Sequence, residues 1–191
     1  RGVLFHTDAT QAIGKVPFDV RQLNVDLASF TAHKIYGPKG SGGLFVRHGA
    51  GIKLIAQMDG GGHENGHRSG TLNVPGIVGL AKALEICVQD QDREMAKLTT
   101  LRNRLLVGLQ ERVGRISVNG HETMRLPGHL SVCIDGVNGE LLMMQMPEIA
   151  ISSVSACSSS SGAISHVISA LGHNEQRALS TLRFGIGNKC T

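Results

Sequence analysis

The sequence predicts an α/β protein in which part of a large, mainly parallel sheet domain is followed by a smaller α+β domain. Three observations carry that expectation. Short apolar runs early in the chain, Val3-Leu4-Phe5, Val25 to Phe30 and Leu44-Phe45-Val46, are separated by polar loops rich in reactive side chains, as in sheets whose chemistry sits at strand ends. A long middle stretch then places apolar residues every three or four positions, which argues for helix. Beyond Gly114 the texture changes to short alternating strands interleaved with brief helical segments, the pattern of an α+β layer.

Taken in order, Val3 to Phe5 reads as a buried strand closed by a polar loop over 6–14. Val25 to Phe30 mixes Leu27 and Phe30 with Asp26 and Ser29 and reads as a second strand. Gly40 to Gly43 forms a glycine-rich turn, and Leu44 to Val46 a third strand running on to Arg47. After Gly60-Gly61-Gly62 a polar loop leads to Asn73-Val74-Pro75. Asn73 can cap a helix, and Pro75 is tolerated in its first turn. That helix is expected to run through Ile77, Leu80, Ala81 and Leu84 toward Val88. A second helix, from about Asp92 to Val113, repeats Met95, Leu98, Leu101, Leu105, Leu109 and Val113, a stripe that reads as core or domain-packing surface. Asp92 and Glu94 favour its start electrostatically.

Ile116-Ser117-Val118 reads as a strand before a turn at Asn119-Gly120, and Leu130 to Ile134 as an alternating strand. Gly139 to Met146 is expected to be a short helix ended by Pro147, and Ile149-Ala150-Ile151 another strand. Gly162 to Leu171 and Glu175 to Leu182 read as helices separated by Gly172, with Arg183 to Ile186 as a last strand. The expected division is a large-domain segment over 1–89 and a small α+β domain over 90–191.

Hydrophobic residues make up 41% of the chain, enough for a real core, while aromatics are only 3%, with Tyr36 alone of its kind and no Trp. That scarcity argues against stacking platforms for nucleic acid. The net charge of +4 comes from 19 basic and 15 acidic residues scattered without a dense stripe, a soluble surface with a mild preference for anions. No apolar run approaches membrane-spanning length, and no secretory signal is legible. Cys87, Cys133, Cys157 and Cys190 have neither metal-ligand spacing nor a tight disulfide framework. A reducing, cytoplasmic setting is expected, or a mitochondrial matrix or plastid in a eukaryote. An apolar strand with no lead-in at one end, and an apolar stretch just before Lys189-Cys190-Thr191 at the other, suggest a piece of something longer.

The reactive residues concentrate in Phe5-His6-Thr7-Asp8-Ala9-Thr10-Gln11 and Ser29-Phe30-Thr31-Ala32-His33-Lys34. They supply a carboxylate of buried type at a strand end and a lysine in a turn, with hydroxyl and imidazole groups just before it. A cofactor held as a Schiff base needs an amine for its aldehyde, and a carboxylate to keep its ring nitrogen protonated. Pyridoxal phosphate fits that pair. Thr31 and His33 suit phosphate oxygens, and a solvated surface charge is the alternative for Lys34. Gln11 could reach the ring hydroxyl or simply be solvated, and His6 reads as a packing residue. Cys157 lies in Ser152-Ser153-Val154-Ser155-Ala156-Cys157-Ser158-Ser159-Ser160-Ser161-Gly162, where nothing large can bury it, so a loop able to swing is expected. Cys87 and Cys133, among apolar neighbours, read as core.

These segments, with Gly60-Gly61-Gly62-His63-Glu64, Arg68-Ser69-Gly70-Thr71-Leu72-Asn73 and Leu182-Arg183-Phe184-Gly185-Ile186-Gly187, resemble the cysteine desulfurases, pyridoxal-phosphate enzymes of the class V aminotransferase superfamily. The resemblance runs nearly the whole chain in order and is closest to the branch with a long mobile cysteine loop. It implies Lys34 as the Schiff-base lysine, Asp8 as partner of the ring nitrogen and Gln11 as partner of the ring hydroxyl. It implies Thr31 and His33 as phosphate contacts, and Thr71 as a contact to the other subunit's cofactor, hence a homodimer. Arg183 is then the clamp for the substrate's α-carboxylate, with a structural salt bridge as its alternative. Cys157 is the nucleophile that takes sulfur from L-cysteine as a persulfide, leaving L-alanine, and passes it to an iron–sulfur scaffold or other sulfur acceptor.

The sequence departs from the family's pattern in places. Val154 stands where glycine is usual, and Gly162-Ala163-Ile164 replaces the Leu-Glu-Pro that begins the next helix. The family's earlier residues, including a histidine that stacks on the ring, have no counterpart here. Rival readings are a selenocysteine lyase or β-eliminating lyase of the same superfamily, and an inactive fragment that serves only as a dimerisation or interaction module.

Overall fold

The first apolar run does not become the first strand. In the computed structural model, which describes residues 2–153 and 165–191, Val3, Leu4 and Phe5 are exposed and strand β1 is His6–Asp8. Asp26 accounts for the shift. Its Oδ2 accepts from the Phe5 N–H at 2.9 Å, while the Phe5 carbonyl accepts from the Asp26 and Leu27 N–H groups at 2.9 and 3.1 Å. Regular pairing starts only after this knot. β1 then runs parallel to β2 (Leu27–Thr31), with His6 opposite Leu27 and Asp8 opposite Ser29.

On the other side of β2, β3 (Gly42–Val46) pairs antiparallel, giving the order β1-β2-β3. Arg47 closes the entry end of β2. Its guanidinium donates to the Val25 carbonyl through Nε and Nη2 at 3.2 and 2.8 Å and pairs with the Asp26 carboxylate at 3.3 Å. Gly43 stands opposite Phe30, and a Cβ there would lie 2.6 Å from the Phe30 ring. Glycine is what lets the ring lie across the strand.

The chain divides into two compact units, Arg1–Gln91 and Asp92–Thr191, and the boundary falls inside one helix. That helix, α1, runs unbroken over Val74–Val113, where the sequence suggested one helix toward Val88 and another from Asp92. The intervening Gln89-Asp90-Gln91 is polar but holds neither glycine nor proline, so nothing stops propagation. Asn73 caps its start, with Oδ1 accepting from the Gly76 N–H at 3.2 Å.

The first unit buries mainly small side chains. Ala9, Val25 and Ala28 form one cluster with Ile13, Phe18, Val20 and Phe45 around it. Ala32, Ile35 and Leu80 form another with Phe30, Ala83, Leu84 and Cys87. The Cys87 thiol lies 3.6 Å from the Ile35 carbonyl oxygen.

In the second unit, β4 (Ile116–Val118), β5 (His129–Ile134) and β6 (Thr181–Gly185) form an antiparallel sheet in that order. Its core is Leu130, Val132, Ile134 and Leu182, covered by Leu105, Leu106 and Leu109 of α1 among others. Burying each such side chain is worth about 1.5–3 kcal/mol, so Leu105 and Leu109 of the predicted stripe are here a packing surface, while Val113 at its end is exposed. Cys133 is buried on β5, as its neighbours suggested.

Helix α2 (Gly139–Gln145) begins at Asn138, whose Oδ1 accepts from the Glu140 and Leu141 N–H groups, both at 3.0 Å. Helices α3 (His166–Ala170) and α4 (Glu175–Leu179) follow. The last helix is shorter than expected because Thr181 and Leu182 pair with Cys133 and Val132 in β6. No strand forms over Ile149–Ile151. Tight turns use its backbone, Ile149 N–H donating to Met146 and Ile151 N–H to Ile149, and only an isolated bridge between Ser152 and Arg183 remains. Val154, Cys157, the serine run and the opening of the helix expected from Gly162 lie outside the described residues.

Candidate active site at the carboxyl edge of the first sheet

Because β1 and β2 are parallel, both finish at the same edge. Asp8 ends β1, Thr31 ends β2, and the chain then makes one 3-10 turn, Ala32–Lys34. The turn is pinned through its backbone. The Ser41 carbonyl accepts from the Ala32 N–H at 2.9 Å and the Thr31 hydroxyl at 3.1 Å. The Ala32 carbonyl accepts in turn from the Ile35 and Gly37 N–H groups at 3.0 and 2.9 Å. Ala32 is wholly buried beneath this turn, while His33 and Lys34 project to its exposed side. Two residues on, Tyr36 holds a left-handed backbone with φ of 64°, a conformation that costs a bulky residue about 1–3 kcal/mol and clusters at functional sites.

The Thr31 hydroxyl and His33 Nδ1 lie 2.9 Å apart. Asp8 corrects one expectation, since its carboxylate is exposed rather than buried. The edge of a sheet with solvent above it does not enclose a side chain at the last strand position. The Thr10 side chain, and then the Thr10 N–H at 2.9 Å from Oδ1, hold the Asp8 carboxyl below the usual carboxylate range, with a smaller contribution from His6. Hydrogen bonds to the charged form have that effect.

Gln11 is exposed and accepts through Oε1 from the Lys15 ammonium. Burial, and next the charge of Lys34, push the Lys15 amine below the usual lysine range. Lys15 therefore stands within electrostatic reach of Lys34. Sequence reasoning gave it no part, and the only signal was its spacing of four from Gln11.

Thr71 is exposed in the segment that leads into α1. Arg183 belongs to the second unit. It is half-buried on β6, its Nε and Nη2 donating to the Ser152 hydroxyl at 3.1 and 2.9 Å. Ser152 also exchanges backbone hydrogen bonds with Arg183. The Ser152 hydroxyl is thus one holder of the guanidinium, a contact the sequence reading did not draw out. Arg183 lines a cleft of about 360 Å³ with His129, Ser131, Ser153 and Ser165. Burial first, and then the charges of Arg183 and Arg125, push the His129 imidazole below the usual histidine range. Cys157 lies outside the described residues.

The structure thus gathers Asp8, Gln11, Thr31, His33 and Lys34 at one sheet edge, with Thr71 elsewhere in the same unit and Arg183 in the other. The gathered set pairs a hydroxyl and an imidazole suited to an anion with an exposed primary amine and an anionic carboxylate, which is the donor set that a phosphorylated aldehyde with a basic ring requires.

The fold is a mixed α/β architecture with a sheet-containing first unit and an α+β second unit. The chain belongs to the class V aminotransferase family, whose model matches residues 1–191. It is 53% identical over 190 residues to the cysteine desulfurase IscS of Anaeromyxobacter sp. (strain K), covering 100% of this chain and 47% of that protein. Among solved structures, a NifS-like protein matches with a TM-score of 0.86 and 36% identity, over 99% of this chain and 48% of the other. SspA in complex with cysteine matches with a TM-score of 0.66 and 31% identity, over 96% of this chain and 50% of the other. The chain spans about half the length of the curated relatives it matches.

Proposed function

We propose that these residues form the lysine-bearing half of a pyridoxal-phosphate-dependent cysteine desulfurase, which moves sulfur from L-cysteine to the Cys157 thiolate and releases L-alanine. The observation that carries the reading is the convergence of Asp8, Gln11, Thr31, His33 and Lys34 on one sheet edge. Likeness to IscS supports the reaction, and likeness to a structure of SspA with cysteine supports the substrate.

Lys34 would hold the cofactor's aldehyde carbon, Thr31 and His33 its phosphate, and Asp8 its ring nitrogen, with Gln11 at the ring hydroxyl. When bound, that group supplies an electron sink for the substrate's α-carbon. The remaining work is done by side chains. Asp8, kept anionic by Thr10, holds a proton on the ring nitrogen. Lys15 stands within electrostatic reach of Lys34, and the Lys34 amine is the nucleophile for the aldehyde carbon. Arg183 would bind the substrate carboxylate through two parallel hydrogen bonds, exchanging its Ser152 contact for them. The Cys157 thiolate takes the sulfur, and its persulfide passes to a scaffold or other acceptor protein. Thr71 is assigned to the cofactor phosphate of a second subunit, so the working form is a homodimer. A cytoplasmic location accords with this chemistry, which needs reduced thiols.

The test is borohydride reduction in the presence of pyridoxal phosphate, in a polypeptide of the relatives' full length that carries these residues. Peptide mapping is expected to place a pyridoxyl group on Lys34, and label on Lys15 or Lys39 instead overturns the assignment. In the same protein, Cys157→Ser is expected to retain cofactor and lose persulfide formation from labelled cysteine. Continued turnover without that thiol would identify an eliminating lyase instead.

A further inference from the structure

Away from this sheet edge, the second unit holds a pair of arginines that the proposed reaction does not use. Arg102 on α1 is only 8% exposed, and the nearest partner of its Nε and Nη2 is the neutral Asn103 side chain, at 3.1 and 2.9 Å. Arg125 lies in the loop between β4 and β5. Its Nε donates to the His121 carbonyl at 2.7 Å, and its Nη2 to the Asn119 carbonyl at 2.9 Å and to that of His121. Those bonds fix the guanidinium in place. Its remaining nitrogen, Nη1, is buried without a hydrogen-bond partner.

Both side chains line a pocket of about 230 Å³ with Asn103, Gln110, Val118 and Glu122. Neither arginine takes part in the ion pairs Arg47–Asp26 and Lys82–Glu85. Burial, and then the charge of Arg102, push the Arg125 guanidinium below its ordinary range, opposed by Glu122. Two cations line one partly dry space, and one of them keeps a buried donor without a partner. Burying charge in that way is unfavourable unless a counter-charge arrives.

We infer that this pocket binds a small tetrahedral oxyanion, of the sulfate or phosphate class, between Arg102 and Arg125. Chemistry and size both favour that class. Guanidinium donors match the oxygens of such an anion, and Asn103 and Gln110 add neutral amide donors at the rim. The anion would tie helix α1 to the β4–β5 loop. Ligand held only by the folded state then stabilises that state as its concentration rises.

Titration of the 191-residue chain with inorganic phosphate and with sulfate tests this, followed by calorimetry and by thermal melting at constant ionic strength. Constant ionic strength holds screening fixed, and saturation separates site binding from the stabilisation sulfate gives by exclusion, which does not saturate. The expected result is a saturable isotherm for both anions. Removing one charged donor in Arg102→Gln should weaken it by about tenfold or more. Should that variant fail to fold, Glu122→Gln decides, because Glu122 is exposed and its loss leaves the backbone contacts untouched. Removing its negative charge is expected to tighten binding by about twofold to fivefold, the scale of one partly screened charge pair. No saturable binding, binding that Arg102→Gln leaves unchanged, or weaker binding in Glu122→Gln would each overturn the inference. None of these outcomes bears on Lys34 or Cys157, so the site stands or falls apart from the proposed reaction.

Discussion

The two units use polar side chains in opposite ways. In the first, the turn that presents Lys34 is held by backbone groups of Ala32, Ile35, Gly37 and Ser41, and His33, Lys34 and Asp8 are left exposed. In the second, polar side chains are buried and bonded to each other. Asn119 donates to Ser131 Oγ at 3.2 Å and to Thr181 Oγ1 at 3.1 Å, and accepts from Arg177 Nε at 2.9 Å. The apolar cores differ likewise, with alanines prominent in one and Leu130, Val132, Ile134 and Leu182 in the other. A site whose geometry is set by main chain keeps its side chains free for a ligand. A core whose polar side chains bond to one another, as Asn119, Ser131, Thr181 and Arg177 do, gains stability from them.

The largest test of that contrast is Leu182→Ala. Loss of a fully buried leucine is expected to cost about 2–5 kcal/mol, read by chemical denaturation with hydrogen exchange to separate the units. Ala28→Gly in the first unit should cost only about 0.5–1 kcal/mol, and equal costs would break the comparison. Next comes Asn119→Ala, which strands buried partners and is expected to cost about 1–3 kcal/mol. A loss confined to the amides of β4 and β6, with the first unit unmoved, would sharpen the contrast further.

The acid limb offers a third measurement. His129 is held neutral by burial, so its folded pKa lies below the ordinary 6.5. The unfolded chain takes up the proton first as pH falls. Stability from this group is therefore complete above 6.5 and lost as pH drops toward the folded value. His129→Gln is expected to flatten that slope in the second unit, checked by melting temperatures across the range. Smallest of all is Asp8→Asn, on an exposed side chain, with an expected change within about 0.5 kcal/mol. A larger loss would show that the sheet edge is structural after all.

How much of this could be read from residues alone depended on the distance over which each feature is decided. The lysine turn was legible because Thr31, His33 and Lys34 are neighbours in the chain and strand ends are where such groups gather. The leucine stripe of α1 was legible because its period is local. What escaped was set by partners far away in sequence. Asp26 moves the first strand from Val3–Phe5 to His6–Asp8, Ser152 meets Arg183 across 31 positions, and Arg102 approaches Arg125 only once the fold exists. The two helices read toward Val88 and from Asp92 are one, because 89–91 holds neither glycine nor proline to end the first.

Gly43 carries a consequence for how this sheet can change over generations. The Phe30 ring lies where any side chain at position 43 would have to go, and the same ring packs onto the Ala32, Ile35 and Leu80 cluster beneath the lysine turn. A substitution at 43 is therefore admissible only alongside a smaller residue at 30, and shrinking residue 30 hollows the support of Lys34. The two positions are inherited as a pair. In a library randomised at both, survivors that retain the lysine turn should keep the glycine with the aromatic ring, and alanine at 43 should be recovered only with an aliphatic side chain at 30.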